Sequence, residues 1–190
     1  MMVDTLVQWD KELFLLLNGM GTETWDGFWL FITHKFSAIP LYALLLFFTY
    51  RFLGQKRTII VLVFVVLLIT ATDQLANFFK YGVARFRPCH DEDITILVRL
   101  VKKSCGGKYG YFSAHAANSM ALASFFSVML KSNIKRLSLF LFLWASLVAF
   151  SRIYIGVHFP LDVLTGTVIG ILFGWLFAKL SIFAFQKFGA

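Results

Sequence analysis

The stretch TIIVLVFVVLLITATDQLANFF, residues 58–79, decides the fold class because Asp73 is its only charged residue. A helix needs about 20 mostly apolar residues to cross the hydrocarbon core of a bilayer, and this stretch has that length. The whole chain agrees: 59% of its 190 residues are hydrophobic, 15% are charged and the mean hydropathy is +0.76. This composition excludes a disordered protein and argues against a water-soluble globule. We therefore expect one integral membrane domain, residues 1–190.

Four further segments carry almost no charge and are rich in Leu, Ile, Val and Phe. Together with the first stretch they predict an all-α fold, a polytopic membrane helix bundle. We expect about five spanning helices, with six as the alternative count. The predicted spans are 36–53, 58–79, 113–130, 137–153 and 160–182.

The N-terminal segment, residues 1–35, has a different pattern. Apolar residues of 6–17 are interrupted by Asp10, Lys11 and Glu12, and a turn signal follows at Asn18–Gly21. This pattern favours an amphipathic helix that lies in the membrane interface. A cleaved signal peptide is the alternative, but the segment lacks a basic start and has acids inside its apolar run.

Short basic loops predict the orientation of the chain. Arg51, Lys56 and Arg57 follow the first span, and a second basic loop, 131–136, follows the third. The positive-inside rule places both loops in the cytoplasm. The connections 80–112 and 152–159 then lie on the outer face. The longer one nevertheless carries a surplus of four positive charges, which indicates an anionic ligand there.

Three separate segments bring polar residues to this outer face. They are the end of the second span, the start of the third, and the connection between the fourth and fifth. Three cations, two histidines and a carboxylate then lie near one another, a set that suits an oxyanion such as phosphate. The residues are Lys80, Arg87, Arg152, His115, His158 and Asp162.

The spacing of these residues indicates a reaction. His158 and Asp162 lie four positions apart across Pro160, which suits the first turn of a helix. A carboxylate on one ring nitrogen fixes the histidine tautomer and leaves the other nitrogen free to attack. His115 is placed to protonate the leaving oxygen, and Ser113 adds a hydroxyl near the first helical amides.

The three motifs resemble the signature of the type-2 phosphatidic acid phosphatase superfamily. The first is Lys80, six residues, then Arg87-Pro88; the third is Ser151-Arg152, five residues, His158, three residues, Asp162. The second motif departs from the family's Pro-Ser-Gly-His, because Phe112 and Ala114 replace Pro and Gly. The residues that carry the chemistry in that motif, Ser113 and His115, are retained.

The resemblance implies a role for each residue. His158 would form a phosphohistidine, Asp162 would orient it and His115 would be the general acid. Phosphate would be bound by Lys80, Arg87, Arg152, Ser113 and Ala114, in a reaction that needs no metal and no other cofactor. The loop 80–112 would be the outer catalytic loop.

The resemblance also implies a substrate class and a location. The substrate would be a lipid phosphate at the outer face of a bacterial cytoplasmic membrane, with undecaprenyl pyrophosphate as the leading expectation. Lipid A phosphate and phosphatidylglycerol phosphate are alternatives, and a non-hydrolytic lipid-binding or transport protein is the rival class. No nucleic-acid partner is expected, because the aromatic residues suit membrane anchoring. The oligomeric state stays open.

Three further residues carry weaker signals. Asp73 lies inside a span on the same face as Asn77 and Lys80, so it either supports the site or makes a helix–helix hydrogen bond. Cys89 and Cys105 fall in the outer loop, where a disulfide is one outcome. A zinc site with His90 is a weaker one, because the spacing lacks a ligand pair.

Overall fold

The computed structural model describes residues 2–189, and the regular elements in that range are helical. The expected all-α class is confirmed. Short 3₁₀ turns at Pro88–His90 and Thr95–Leu97 lie in the long loop between the third and fourth helices. The α-helices are α1 (Met2–Gly19), α2 (Glu23–Thr33), α3 (Ile39–Val83), α4 (Ala114–Leu130), α5 (Leu137–Tyr154) and α6 (Pro160–Lys187).

Three of these helices, α3, α5 and α6, are long and apolar enough to cross a membrane. Helix α4 is also apolar but has only 17 residues. Three predicted spans, 113–130, 137–153 and 160–182, each correspond to one observed helix, to within about five residues at either end. The longest helix, α3, covers most of the other two, 36–53 and 58–79.

Helix α3 bends sharply at Gly54, where φ is 79° and the backbone leaves the helical region. Glycine takes this left-handed conformation without the steric cost that other residues bear. Tyr42 and Leu46 from one side of the bend line the same cavity as Leu62 and Val65 from the other, so the chain folds back on itself. We expected a loop between the first two spans, and the structure places a single non-helical residue there. Helical backbone continues through Lys56 and Arg57 because long basic side chains reach polar surroundings without breaking a helix.

Helices α4 and α6 form the tightest contact in the bundle. A side chain at Gly166 or Gly170 of α6 would collide with the carbonyl oxygen of Ser113 or Ala117. Small residues let apolar helices approach closely, which substitutes for the hydrophobic effect that lipid does not supply. This contact brings the start of α4 beside the start of α6, where the amide of Ser113 donates to the carbonyl oxygen of Asp162 at 3.0 Å.

Helix α1 buries one face in the protein. Asp10, Phe14 and Asn18, four residues apart, are at most 4% exposed, whereas Trp9 and Leu16 are over 60% exposed. The ring of Phe14 packs edge-on against Phe159 at 5.3 Å between centroids. The first helix is therefore part of the bundle through its buried face, and it presents apolar residues on its other face.

Candidate active site

The long loop, residues 84–113, is fastened at two places. The amide of Gly110 donates to the carbonyl of Arg85 at 2.9 Å, and the amide of Arg87 donates to the carbonyl of Lys108 at 3.1 Å. Farther along, Cys89 and Cys105 are joined by a disulfide with their Cα atoms 6.3 Å apart. The ligand atoms of these cysteines and of His90 lie within 4.8 Å of one another, but the two sulfurs are bonded to each other.

The guanidinium of Arg87 is held by backbone carbonyls. It donates to the carbonyl oxygens of Tyr109 at 3.2 Å, Cys105 at 3.3 Å and Val157 at 3.5 Å. Burial lowers the pKa of Arg87, and the charge of Asp162 opposes that change. The loop thus fixes a buried cation next to the segment that carries His158.

The carboxylate of Asp162 is fully buried and lies beside His158 in the first turn of α6. Its Oδ2 accepts from the amide of Phe159 at 3.0 Å and lies 3.6 Å from Nδ1 of His158. Its Oδ1 accepts from Arg85 at 2.9 Å. Because Nδ1 faces the carboxylate, Nε2 is the nitrogen of His158 that is directed away from Asp162.

The imidazole of His158 is 2% exposed. Burial is the largest cause that holds its pKa well below the ordinary value, and the positive charges of Arg152, Arg87 and Lys80 lower it further. A histidine in this state is neutral at neutral pH, so its free nitrogen keeps the lone pair that a nucleophile needs.

Arg152, near the end of α5, is 4% exposed and points toward the same cluster. Its Nη1 donates to the hydroxyl of Thr33, the last residue of α2, at 2.5 Å. Within residues 2–189 its Nε is buried with no hydrogen-bond partner. A buried guanidinium donor without a partner is costly, and an anionic ligand would satisfy it.

The start of α4 carries the second motif. Ser113 is the N-cap, and its hydroxyl accepts from the amide of Ala116 at 3.5 Å. Ala114 is the first helical residue, so alanine fits where the family has glycine, without positive φ. The ring of Phe112 is buried against Phe79 at 5.7 Å between centroids.

His115 has an exposed side chain and completes the cluster. It interacts electrostatically with Arg152, His158, Lys102 and Lys80. Lys80 in turn interacts with Arg87, Asp73 and Arg152, and its Nζ donates to the amide oxygen of Asn77 at 3.4 Å. The structure therefore brings together the residues of all three motifs.

Asp73 makes a helix–helix hydrogen bond. Its carboxylate accepts from Nδ2 of Asn118 at 2.8 Å, and the amide oxygen of Asn118 accepts from the hydroxyl of Thr72. Asn118 lies three residues after His115, so this network ties α3 to the part of α4 that carries His115.

An apolar cavity of about 640 Å³ opens beside His115. Both arms of α3 line it, with α4 and α5, and Leu46 and Leu62 reach the outer surface of the bundle. Its polar lining includes Thr33, His34 and Asn118. The cavity thus joins the charged cluster to the outer surface of the helix bundle.

Several residues of the site were not predicted from the sequence. Arg85 binds Asp162, and a Cβ at Gly110 would lie 3.0 Å from Cγ of Arg87 and in van der Waals contact with Nδ1 of His158. Thr33 binds Arg152, and burial together with Arg152 and Arg87 lowers the pKa of Lys102. Asp10 had a partial signal, since it lies four residues before Phe14 and eight before Asn18 on one face of α1.

Comparison with known proteins defines the family. The PAP2 superfamily profile matches residues 57–185, and the chain belongs to that superfamily, the type-2 phosphatidic acid phosphatases. Sequence relatives include two proteins named lipid A 4'-phosphatase. The one from Bacteroides thetaiotaomicron is 36% identical over 93% of this chain and 78% of that protein. The one from Porphyromonas gingivalis is 34% identical over 96% and 77%.

A more distant relative is an undecaprenyl-diphosphatase of Sulfolobus acidocaldarius, 28% identical over 92% of this chain and 80% of that protein. Among solved structures, LpxE of Aquifex aeolicus matches with a TM-score of 0.65 and 28% identity, covering 88% of this chain and 93% of that one. The transmembrane PAP2-type phosphatidylglycerolphosphate phosphatase of Bacillus subtilis matches with a TM-score of 0.73 and 18% identity, covering 93% and 86%. The second likeness supports the fold.

These findings establish the class of the protein. It is a bacterial membrane protein and a lipid phosphatase of the PAP2 type. The prediction of an enzyme is confirmed, and so is the predicted family.

Proposed function

We propose that this enzyme hydrolyses a phosphate monoester of lipid A and releases inorganic phosphate. The observation that carries the proposal is that both relatives above 30% identity, each spanning more than nine-tenths of this chain, are named lipid A 4'-phosphatase. Undecaprenyl pyrophosphate, the leading expectation from the sequence, becomes the second candidate, because the relative named undecaprenyl-diphosphatase is only 28% identical to this chain.

In the proposed reaction, Nε2 of His158 attacks the phosphorus and the bond between phosphorus and the leaving oxygen breaks. His115 donates its proton to that oxygen, and the dephosphorylated lipid departs. Water then attacks the phosphohistidine, His115 takes a proton from the water, and the N–P bond breaks to release inorganic phosphate. The contact between Nδ1 of His158 and Asp162, at 3.6 Å, supports this assignment of the two ring nitrogens.

The phosphate oxygens would be bound by Lys80, Arg87 and Arg152, with the hydroxyl of Ser113 and the amide of Ala114 beside them. The unpartnered Nε of Arg152 and the charges that converge on His158 support this assignment. Phosphoryl transfer depends chiefly on placement and on neutralising charge at the equatorial oxygens. Fixed cations supply that neutralisation, so we propose that turnover continues in the presence of a chelator.

The lipid would remain in the membrane while its head enters the site. The apolar cavity beside His115 suits an acyl chain, because Leu46, Leu62 and Val65 line it. We place the site on the outer face of the cytoplasmic membrane, in a single domain with five crossings. The basic residues at the Gly54 bend and between α4 and α5 support this orientation.

A phosphate-release assay tests the proposal. Purified protein in detergent with a chelator is given lipid A, undecaprenyl pyrophosphate, phosphatidylglycerol phosphate and phosphatidic acid separately. We expect the highest kcat/KM with lipid A. His158→Ala should abolish release, since the residual rate without a nucleophile is at least about 1,000-fold lower. His90→Ala is the matched control, because His90 is exposed in the same region, and it should keep wild-type activity.

Each alternative has its own outcome. A preference for undecaprenyl pyrophosphate would contradict the lipid A assignment and leave the phosphatase chemistry intact. If the wild type and His158→Ala gave the same rate on every lipid, the proposed nucleophile would be wrong. If neither released phosphate from any lipid, the non-hydrolytic alternative would be favoured.

A further inference from the structure

A buried charge network connects the first helix to the site. The guanidinium of Arg85 bridges two carboxylates, with Nη2 at 2.5 Å from Asp10 and Nη1 at 2.9 Å from Asp162. The side chains of Asp10 and Asp162 are 2% and 0% exposed, and that of Arg85 is 17% exposed. Asp10 on α1 thus contacts Arg85, and Arg85 contacts Asp162, whose carboxylate faces His158.

Asp10 also binds the helix that carries Asp162. Its Oδ1 accepts from the amide of Leu161 at 2.9 Å, in the first turn of α6. Phe159, at the N-cap position, has no side-chain oxygen for this purpose, so Asp10 supplies the acceptor from another helix. The Cζ atom of Arg85 lies 4.3 Å from the centroid of the Phe159 ring, and this contact fixes the plane of the guanidinium group.

Attachment of α1 does not explain a buried carboxylate. Lys11 pairs with Asp91 at 2.9 Å and with Asp93 at 2.7 Å, and Phe14 packs on Phe159. The side chain of Asn18 donates to the carbonyls of Arg99 and Tyr154 at 3.0 and 2.9 Å. These contacts hold the helix in place, whereas burying Asp10 carries a desolvation cost. The groups that Asp10 binds, Arg85 and the amide of Leu161, therefore indicate its role.

We propose that Asp10 is a positioning residue that holds Arg85 and the first turn of α6 so that Oδ2 of Asp162 faces Nδ1 of His158. This inference rests on the proposed phosphohistidine reaction. Arg85 shared between two carboxylates occupies one defined place, and it neutralises Asp162 only in part. The carboxylate of Asp162 therefore keeps negative charge for the histidine while its orientation is fixed.

Asp10→Asn tests the electrostatic half of this arrangement. Asparagine keeps an oxygen for the amide of Leu161 and loses the charge that holds Arg85. We expect kcat for phosphate release to fall about 10- to 100-fold. This is the range found in metal sites when the hydrogen-bond partner that orients a metal-binding histidine is removed. KM and the inhibition constant of inorganic phosphate should stay within about twofold, because Lys80, Arg87 and Arg152 are untouched.

Two variants on the same helix serve as controls. Glu12→Gln removes the same charge from an exposed position two residues away and should leave kcat unchanged. Lys11→Gln breaks the pairs with Asp91 and Asp93 and loosens the helix without touching Arg85. If Lys11→Gln lowered kcat as much as Asp10→Asn, the role of Asp10 would be anchoring and the proposal would be wrong.

A double-mutant cycle with Arg85→Gln completes the test. Because Asp10 is proposed to act through Arg85, Asp10→Asn should have little further effect on kcat once Arg85 is replaced. If the double variant instead lost kcat by the product of the two single losses, the proposal would be wrong. An unchanged kcat in Asp10→Asn would also overturn it. A wild type inactive on all four lipids would instead refute the proposed function, so the two failures are distinguishable.

Discussion

His158 is controlled by side chains that come from several elements. Asp162 follows it in α6, Arg152 lies on α5, Lys80 on α3, and Arg87 in the long loop. Burial and the three cations lower the pKa of His158 by more than a backbone hydrogen bond with Gly110 raises it. The balance leaves a neutral imidazole in a positively charged pocket, which suits attack on an anionic phosphate.

Removing one cation should change the pH dependence of the reaction. The charge of Arg87 lowers the pKa of His158, so Arg87→Gln should raise that pKa. As the proposed nucleophile, His158 must be unprotonated, so the acid limb of kcat/KM, which reports the free enzyme, should move to higher pH. Arg87→Lys keeps the charge and should leave the limb in place.

Both Arg87 variants should lower kcat/KM, by roughly 100-fold, because neither reproduces the fork of donors. The measurement is kcat/KM against pH with one lipid, so that titration of the substrate is common to all three proteins. An acid limb that did not move in Arg87→Gln would remove Arg87 from the surroundings of His158.

At this scale the sequence predicted the residues that the structure brings together around His158, because their spacing is local to three short motifs. It missed Asp10 and Thr33, which contact Arg85 and Arg152. Those partners lie 75 and 119 residues away along the chain, so no local pattern relates them. Only the packing of α1 and α2 against the bundle brings them to the site.

The contact between α4 and α6 aligns His115 with His158 and Asp162. It depends on glycine, because any side chain at Gly170 would enter the space of the Ala117 carbonyl. A shift that relieved such a clash would displace α4, and with it His115, the proposed general acid. The packing of two helices is therefore linked to the geometry of the site.

Gly170→Ala should destabilise the protein by about 1–3 kcal/mol, the usual cost of overpacking a tight contact. Gly27→Ala is the matched control, since nothing lies within 4 Å of a Cβ at that exposed helical position. The control should be neutral or stabilising by about 0.4–1 kcal/mol. Thermal unfolding in detergent measures both, and equal midpoints for the two variants would contradict the role of this contact.

The helices themselves were largely predictable, because lipid demands apolar stretches of a set length. The predicted spans 137–153 and 113–130 correspond to α5 and α4 nearly residue for residue. The Gly54 bend was not predicted, because charged residues around it read as a loop. The bend instead occupies a single residue, and the segments on both sides of it are helical.

The whole molecule combines a charged cluster at one end with an apolar cavity that reaches its outer surface. The cluster would face the outside of the cell, and the basic bends would face the cytoplasm. We propose this orientation because the charges of short loops decide topology more strongly than those of the long loop.

Single cysteines test the orientation. Thr24→Cys, at the start of α2, should react with a membrane-impermeant maleimide in intact spheroplasts. Ser132→Cys, between α4 and α5, should react only after permeabilisation. The unmodified protein is the control, because Cys89 and Cys105 are bonded to each other. The reverse labelling would place the site on the cytoplasmic face.

The hydrogen bond between Leu161 and Asp10 joins residues 151 positions apart in a sequence of 190. The buried carboxylate of α1 therefore finds all its partners only after the start of α6 has been synthesised. A nascent chain has neither His158 nor Asp162 in place through most of its synthesis. The carboxylate network behind His158 is therefore complete only once α1 and the start of α6 have packed together.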